Sequence, residues 1–253
     1  MAVANRKPAC TSVVNVCPNM LYSFQNKARA KQGPACRLTL YWGKTHKELD
    51  AAAHKKGNDM KTPIETTAGT NIETKRLWIR RFHPADWRDL YEYLSQEAVV
   101  KFEPYEVFTE TAGRQEAERR SKDNSYWAVC LKDGGKLIGN LYLAKQDFGT
   151  WELGYVFNEK YQGKGYATEA GLALLDDVFR NQHARRVIAL CNPLNEPSWK
   201  LLERLGFRRE GHLLKNIYFK KDKDGEPIWA DTFEYAILGE EWAAQQPYRA
   251  PQS

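Results

Sequence analysis

A strand-like pattern gives way to a helix-like pattern at Gln162-Gly163-Lys164-Gly165-Tyr166-Ala167. Small residues there let several backbone N–H groups converge on one point, and the start of a helix adds a partial positive charge. This combination is typical of a site for a diphosphate group. A surface turn with a helix cap can have the same residues, and the six positions taken alone favour that simpler interpretation.

Two common nucleotide-binding loops are excluded by their spacing. A Walker-type phosphate loop requires glycine at position 158 and serine or threonine at 165, where the chain has Asn158 and Gly165. A dinucleotide fingerprint requires three glycines over six positions after an early strand. Here the glycine spacing fails, and the loop lies past the middle of the chain.

The residues around the loop predict a domain of mixed α and β structure. Lys75–Phe82 has the alternation of a first strand, and Asp133-Gly134-Gly135 predicts a tight hairpin turn. Trp151–Asn158 predicts a strand with Glu152 and Val156 on one face and Tyr155 and Phe157 on the other. A helix from Tyr166 to about residue 181 then leads to the strand Arg186–Cys191.

Composition and charge separate an N-terminal extension from the rest of the chain. The 253 residues are 42% hydrophobic and 12% aromatic, which is enough for a core. No segment approaches the roughly 20 apolar residues of a membrane span. No apolar h-region of 7–15 residues follows Met1, so we do not expect a secretory signal. Residues 1–59 hold 10 basic and 3 acidic side chains, so the net charge of +6 comes wholly from them. The remainder therefore gives no support for nucleic-acid binding.

Three interpretations of residues 1–59 stay open. They are a disordered tail or upstream translation start, an organelle transit peptide, or a basic arm that contacts ribosome or RNA. We expect the first, because Met60 opens the segment that leads to the first clear strand. The predicted organisation is an extension over 1–59, a linker over 60–71, one domain over 72–242 and a tail over 243–253.

The five cysteines predict no metal site. They stand at positions 10, 17, 36, 130 and 191, with no C-x-x-C pair and no zinc spacing. Cys130 and Cys191 fall in apolar strand-like runs, where a thiol behaves as a small hydrophobe. We expect no metal cofactor, and a reducing compartment such as the cytoplasm fits this cysteine usage best.

Two separated motifs resemble the GNAT superfamily of N-acetyltransferases. The acyl-CoA loop of that family reads Gln/Arg-x-x-Gly-x-Gly/Ala, and Gln162, Gly165 and Ala167 match its fixed positions. The chain is closer still to the branch that contains the N-terminal acetyltransferases of ribosomal proteins. The tracts that carry this likeness are Tyr161–Ala170, Asn195–Ser198 and Leu202–Phe207.

The resemblance implies an α+β fold in which helices flank a strongly twisted mixed sheet. The fourth and fifth strands of that sheet splay apart like a V, and here they would be Trp151–Asn158 and Arg186–Cys191. Acetyl-CoA would be the co-substrate. Its pantetheine arm would hydrogen-bond the backbone around Val156 and Phe157, and its diphosphate would bind the amides of 162–167. The Lys164 side chain either adds a Coulomb contact or is simply solvated.

The chemistry and the resemblance together nominate catalytic residues. An amine attacks only when unprotonated, so the site needs a proton acceptor. Glu152 is the candidate base, with an exposed strand glutamate as the alternative. Ser198 is the candidate proton donor to the departing thiolate, with Tyr218 as the fallback. Asn195 is expected to bond the pantetheine amide, to cap its helix, or both. No covalent intermediate is needed, so cysteine nucleophiles are not required.

The acceptor amine is the least defined part of the prediction. Two segments would border its pocket, Phe102–Phe108 with Glu103 and Glu106, and Lys220–Pro227. The resemblance implies a protein N-terminal α-amine of the ribosomal-protein type. A small amine, such as an amino acid, a polyamine or an antibiotic, stays open, as does a non-catalytic module that senses acyl-CoA. The sequence does not choose between a monomer and a homodimer.

Overall fold

The computed structural model describes the backbone of Val14–Asn15 and residues 71–245. The remainder of the predicted extension, the linker up to residue 70 and the tail from residue 246 lie outside the described residues. Among the described residues, no helix combines the length and hydropathy needed to cross a membrane.

Runs of consecutive strands and runs of consecutive helices follow one another along the described chain, as is typical of an α+β protein. The strands are β1 (Val14–Asn15), β2 (Ile72–Glu73), β3 (Leu77–Arg81), β4 (Tyr126–Leu131), β5 (Leu137–Lys145), β6 (Thr150–Phe157), β7 (Arg186–Cys191), β8 (Arg208–Lys221) and β9 (Pro227–Leu238). The α-helices are α1 (Trp87–Leu94), α2 (Glu97–Val100), α3 (Glu110–Ser121), α4 (Tyr166–Arg180), α5 (Glu196–Leu205) and α6 (Gly239–Gln245).

Eight strands form one mixed sheet, in the order β2-β3-β4-β5-β6-β7-β9-β8. Neighbouring strands are antiparallel except β6 and β7, which are parallel because α4 crosses over between them. β2 to β6 therefore form a meander that enters a single crossover. This confirms the mixed sheet expected from the sequence.

The alternation along β6 divides its side chains between two cores. Tyr155 and Phe157 belong to the cluster that contains Leu174 of α4 and the apolar face of α5. Val156 belongs to a second cluster, which contains Tyr93 and the rest of the buried face of α1. Since side chains two apart share a face, Glu152 lies on the Val156 side of the sheet. The two faces predicted for this strand are confirmed.

β6 and β7 separate after three residue pairs. Parallel pairing joins Thr150–Glu152 to Arg186–Ile188, although β6 continues to Phe157 and β7 to Cys191. Beyond Glu152 the edge of β6 is not paired with β7. The antiparallel partners on this edge are Val14 and Asn15 of β1, which pair with Val156 and Tyr155. The expected splay is confirmed, and the open edge can form strand-type hydrogen bonds.

Candidate active site

The predicted diphosphate loop lies at the N-terminus of α4, beside a cavity of about 720 Å³. Gly163 and Gly165 have φ angles of +71° and +80°, a left-handed conformation that glycine adopts without a steric cost. Gln162 fixes the loop to the end of β6, because its Nε2 donates to the carbonyl of Phe157 at 3.1 Å. The loop and Phe157 both line the cavity. Polar amides and an apolar strand end therefore meet at one site.

Thr74 and Arg76, in the segment before β3, form hydrogen bonds that fix the loop and the start of α4. The carboxylate of Glu169 accepts from Arg76 Nε at 2.6 Å, from the Arg76 backbone N–H at 2.9 Å and from the Thr74 hydroxyl at 2.6 Å. Arg76 also donates to the carbonyl of Lys164 at 3.0 Å, and its guanidinium lies 4.4 Å from the ring centroid of Tyr166. These contacts fix the first turn of α4. Sequence reasoning missed Arg76, which lies far from the loop in sequence and belongs to no motif.

Glu152 lies at the apex of the opening between β6 and β7. Its position is the last at which the two strands pair, opposite Ile188. The side chain is 3% exposed, and Gln146 donates from Nε2 to its Oε2 at 3.0 Å. This burial excludes the alternative of an exposed strand glutamate. Its role as a proton acceptor stays a prediction.

Ser198 lies in the first turn of α5 and is fully buried beside Tyr155. The Tyr155 hydroxyl donates to the Ser198 carbonyl at 3.0 Å, and the two hydroxyl oxygens are 3.1 Å apart. In the second contact either hydroxyl can be the donor. Burial raises the pKa of Tyr155 well above its usual range, so the phenol stays protonated and orients the serine.

Asn195 occupies the N-cap position of α5 and is fully buried. Its side chain makes no capping hydrogen bond to the helix among the described residues. Helix capping therefore does not account for an asparagine at this position. The contact of this amide with pantetheine stays a prediction.

Tyr218, the fallback proton donor, lies at the surface, and the two cysteines of the described domain are buried. Tyr218 lies on β8, is 40% exposed and packs edge to face with Trp229 at 5.2 Å between ring centroids. Burial raises the pKa of the Cys130 thiol to about 11 and that of Cys191 to about 12. Both thiols are therefore neutral at physiological pH and poor nucleophiles.

The structure brings the two predicted acceptor segments together. Lys220 of the β8–β9 hairpin lies 3.6 Å from the carboxylate of Glu106, an ion pair between exposed side chains. Glu103 differs from Glu106, because its side chain is only 3% exposed. Glu106 thus faces the surface while Glu103 is closed off from solvent.

We expect replacement of Glu103 with glutamine to stabilise the protein at alkaline pH. Burial raises the pKa of Glu103 to about 8, despite the attraction of Arg120. The folded state then binds a proton that the unfolded state releases near pH 4.5, so the free energy of unfolding falls as pH rises from 4.5 to 8. Glutamine does not titrate, and its advantage should grow to about a few kcal/mol above pH 8. Urea unfolding at pH 5 and pH 9 measures this difference.

The matched control is Glu106→Gln, which changes an exposed carboxylate in the same segment. It should not reproduce the pH-dependent gain. Parallel pH profiles of stability for wild type and Glu103→Gln would contradict a raised pKa at this position.

Comparison with known proteins agrees with this geometry. Residues 76–208 match the family described as "Acetyltransferase (GNAT) domain". The chain is 42% identical over 175 residues to the uncharacterized N-acetyltransferase YnaD of Bacillus subtilis, covering 68% of this chain and 99% of YnaD. It is 34% identical over 186 residues to the [ribosomal protein uS5]-alanine N-acetyltransferase of Escherichia coli, covering 68% of this chain and 92% of that enzyme.

A solved structure shows the same architecture. The acetyltransferase (GNAT family) from Bacillus anthracis superposes with a TM-score of 0.62 at 38% identity, covering 68% of this chain and 99% of its own. The loop, the splayed strands and the buried carboxylate are thus found in a chain whose sequence and fold both match one family. The chain belongs to the GNAT family of acetyl-CoA-dependent N-acetyltransferases.

Proposed function

We propose that this protein acetylates N-terminal α-amines of proteins, with Glu152 as the proton acceptor and Ser198 as the proton donor. The observations that support the catalytic assignment are the burial of Glu152 at the last β6–β7 pair and the burial of Ser198, whose carbonyl accepts a hydrogen bond from Tyr155 of β6. The acceptor class is supported by a relative, the [ribosomal protein uS5]-alanine N-acetyltransferase. The match to this chain covers 92% of the length of that enzyme.

In the proposed reaction the amine attacks the thioester carbonyl carbon directly. A C–N bond forms while the C–S bond breaks, and the electron pair of that bond leaves with sulfur as a thiolate. The proton lost from nitrogen passes to Glu152, directly or through water. Ser198 gives a proton to the sulfur and regains one from solvent. The products are an N-acetylated amine and CoA-SH, and no enzyme-bound acyl group forms.

The open edge of β6 supports binding of the pantetheine arm between the strands. Val14 and Asn15 already pair with Val156 and Tyr155 on this edge, so its backbone groups are accessible to an extended partner. Pantetheine amides would use the same groups, and β1 and a bound donor therefore exclude one another. Assays should accordingly compare the full chain with a chain that starts at Met60.

Release of CoA thiol over a panel of acceptors tests the proposal. The panel contains peptides with N-terminal alanine, serine and methionine, free amino acids, spermidine and an aminoglycoside, each at equal concentration with saturating acetyl-CoA. We expect the largest kcat/KM with a peptide. A larger kcat/KM with a small amine would replace the acceptor class but keep the enzyme. Tight CoA binding with activity on no acceptor would favour the sensor module.

Replacement of Ser198 with alanine should lower kcat by about tenfold, a mild loss for a proton donor. The loss is mild because the leaving thiol has a pKa of about 8.5, so the thiolate departs without protonation at a moderate cost. Steady-state thiol release at saturating acetyl-CoA measures kcat. Tyr155→Phe is the companion variant: it keeps the serine but removes the phenol that orients it. An undiminished kcat in Ser198→Ala would mean that water protonates the sulfur.

A further inference from the structure

Arg204 in the last turn of α5 lines the 720 Å³ cavity beside the diphosphate loop. It is the only cationic side chain among the described residues that line this cavity. α5 packs on α4 at this level, because Leu205 contacts Gly171. Arg204 therefore lines the side of the cavity that α5 forms. The loop and the first turn of α4 form another side of the same cavity.

The cations near the loop differ in what they contact. Lys164 does not line the cavity, and its Nζ lies 5.4 Å from the ring centroid of Tyr161. Arg76 is already engaged by Glu169, by the Lys164 carbonyl and by the ring of Tyr166. Arg204 is exposed and makes no hydrogen bond, ion pair or ring contact within the part of the chain that the structure describes. Its guanidinium is the one that is available to a ligand of this cavity.

The charge of the cavity wall requires such a cation. Glu169 lines the cavity with a carboxylate, and the Arg76 ion pair only neutralises it. The loop supplies neutral amides and the partial charge of a helix N-terminus, equivalent to about half an elementary charge. Coenzyme A has a diphosphate and a 3′-phosphate, which together carry several negative charges. Among the described residues that line the cavity, Arg204 carries the one full positive charge.

The length of α5 places Arg204 at the phosphate end of the cofactor. Ser198, assigned to the thiolate, lies six residues earlier on the same helix, which is about 9 Å along the axis at 1.5 Å per residue. One helix can thus contact the reacting sulfur through its first turn and the phosphates through its last.

We propose that Arg204 binds a phosphate group of coenzyme A and so determines the preference for a phosphorylated acyl donor. Arg76 is assigned a separate task, which is to hold the loop in shape. The inference rests on acetyl-CoA as the donor and adds a binding residue outside the loop of residues 162–167.

Calorimetric titration with CoA and dephospho-CoA tests the proposal on the full chain. Arg204→Gln should raise the Kd for CoA about tenfold, the effect of losing a hydrogen-bonded charge pair. Arg204→Lys should recover part of the loss, because lysine keeps the charge but not the planar fork. If the loss disappears with dephospho-CoA, Arg204 binds the 3′-phosphate. If the loss persists, it binds the diphosphate. Glutamine and lysine are both good helix formers, and residue 204 is exposed, so we expect both variants to fold.

Lys200→Gln is the matched control, since Lys200 lies on the same helix, is half-exposed and pairs with Glu196 away from the cavity. It should leave the Kd unchanged. The proposal is overturned if Arg204→Gln binds CoA as tightly as wild type. It is also overturned if the variant loses the same factor in kcat/KM with S-acetylpantetheine, which has no phosphate. Absence of CoA binding by the wild-type chain would instead remove the donor itself.

Discussion

Replacement of Glu152 with glutamine should lower kcat by about 100-fold or more, while the Kd for acetyl-CoA stays nearly constant. Glutamine has the size of glutamate and can still accept the hydrogen bond from Gln146, so the packing at the apex of the opening is retained. What is lost is the ability to accept a proton from the attacking amine. Steady-state assay of the released CoA thiol measures kcat, and calorimetric titration measures the Kd for acetyl-CoA.

The pH dependence of the rate separates a base from a residue with a structural role. In wild type, kcat/KM should fall at low pH as Glu152 and the acceptor amine become protonated. In Glu152→Gln the part of this fall that belongs to Glu152 should be absent. A profile identical to that of wild type would remove Glu152 from the mechanism. Gln146→Ala is a useful companion, because it keeps the carboxylate and removes only its hydrogen-bond donor, and we expect a smaller loss of kcat.

Replacement of Gly165 with alanine should raise the Kd for CoA by roughly 10- to 100-fold, the effect of losing one or two hydrogen bonds to a charged oxygen. Gly165 has φ of +80°, which an alanine adopts at a cost of about 1–2 kcal/mol. Relief of that strain rotates the peptide planes on which the convergent amides depend. The added Cβ would also meet the Arg76 guanidinium at 3.4 Å.

A matched glycine separates strain from loss of binding. Gly134 in the β4–β5 hairpin turn has φ of +74° and, like Gly163, has open space around an added Cβ. Gly134→Ala should lower the unfolding temperature by a similar amount and leave the Kd for CoA unchanged. Equal losses of affinity in Gly134→Ala and Gly165→Ala would mean that the loop does not bind the diphosphate.

The features that could be predicted from the sequence are those that depend on neighbours in the chain. The glycine loop, the crossover helix and the two faces of β6 follow from local spacing, and the structure has them. The ends of β6 shift by one residue: the alternation predicts Trp151–Asn158, and β6 runs Thr150–Phe157 because its ladder with β5 ends at Phe157.

The features that could not be predicted depend on contacts between distant segments. The bond of Tyr155 to Ser198 joins residues 43 apart, and the Arg76–Glu169 pair joins residues 93 apart. Neither has a local pattern. The burial of Glu103 is a third case, since its sequence neighbours Glu106 and Lys101 are exposed.

The three-pair junction between β6 and β7 has a consequence for folding as well as for catalysis. The two halves of the sheet share few backbone hydrogen bonds there, and the thioester donor would supply the missing ones. A donor bound along the open edge of β6 would add backbone contacts at this junction, where side chains of the two halves already share one core. By mass action, free donor at 100 times its Kd adds about 2.7 kcal/mol to the stability of the folded state. The supply of acetyl-CoA in the cell would then govern how long this enzyme survives, in addition to how fast it works.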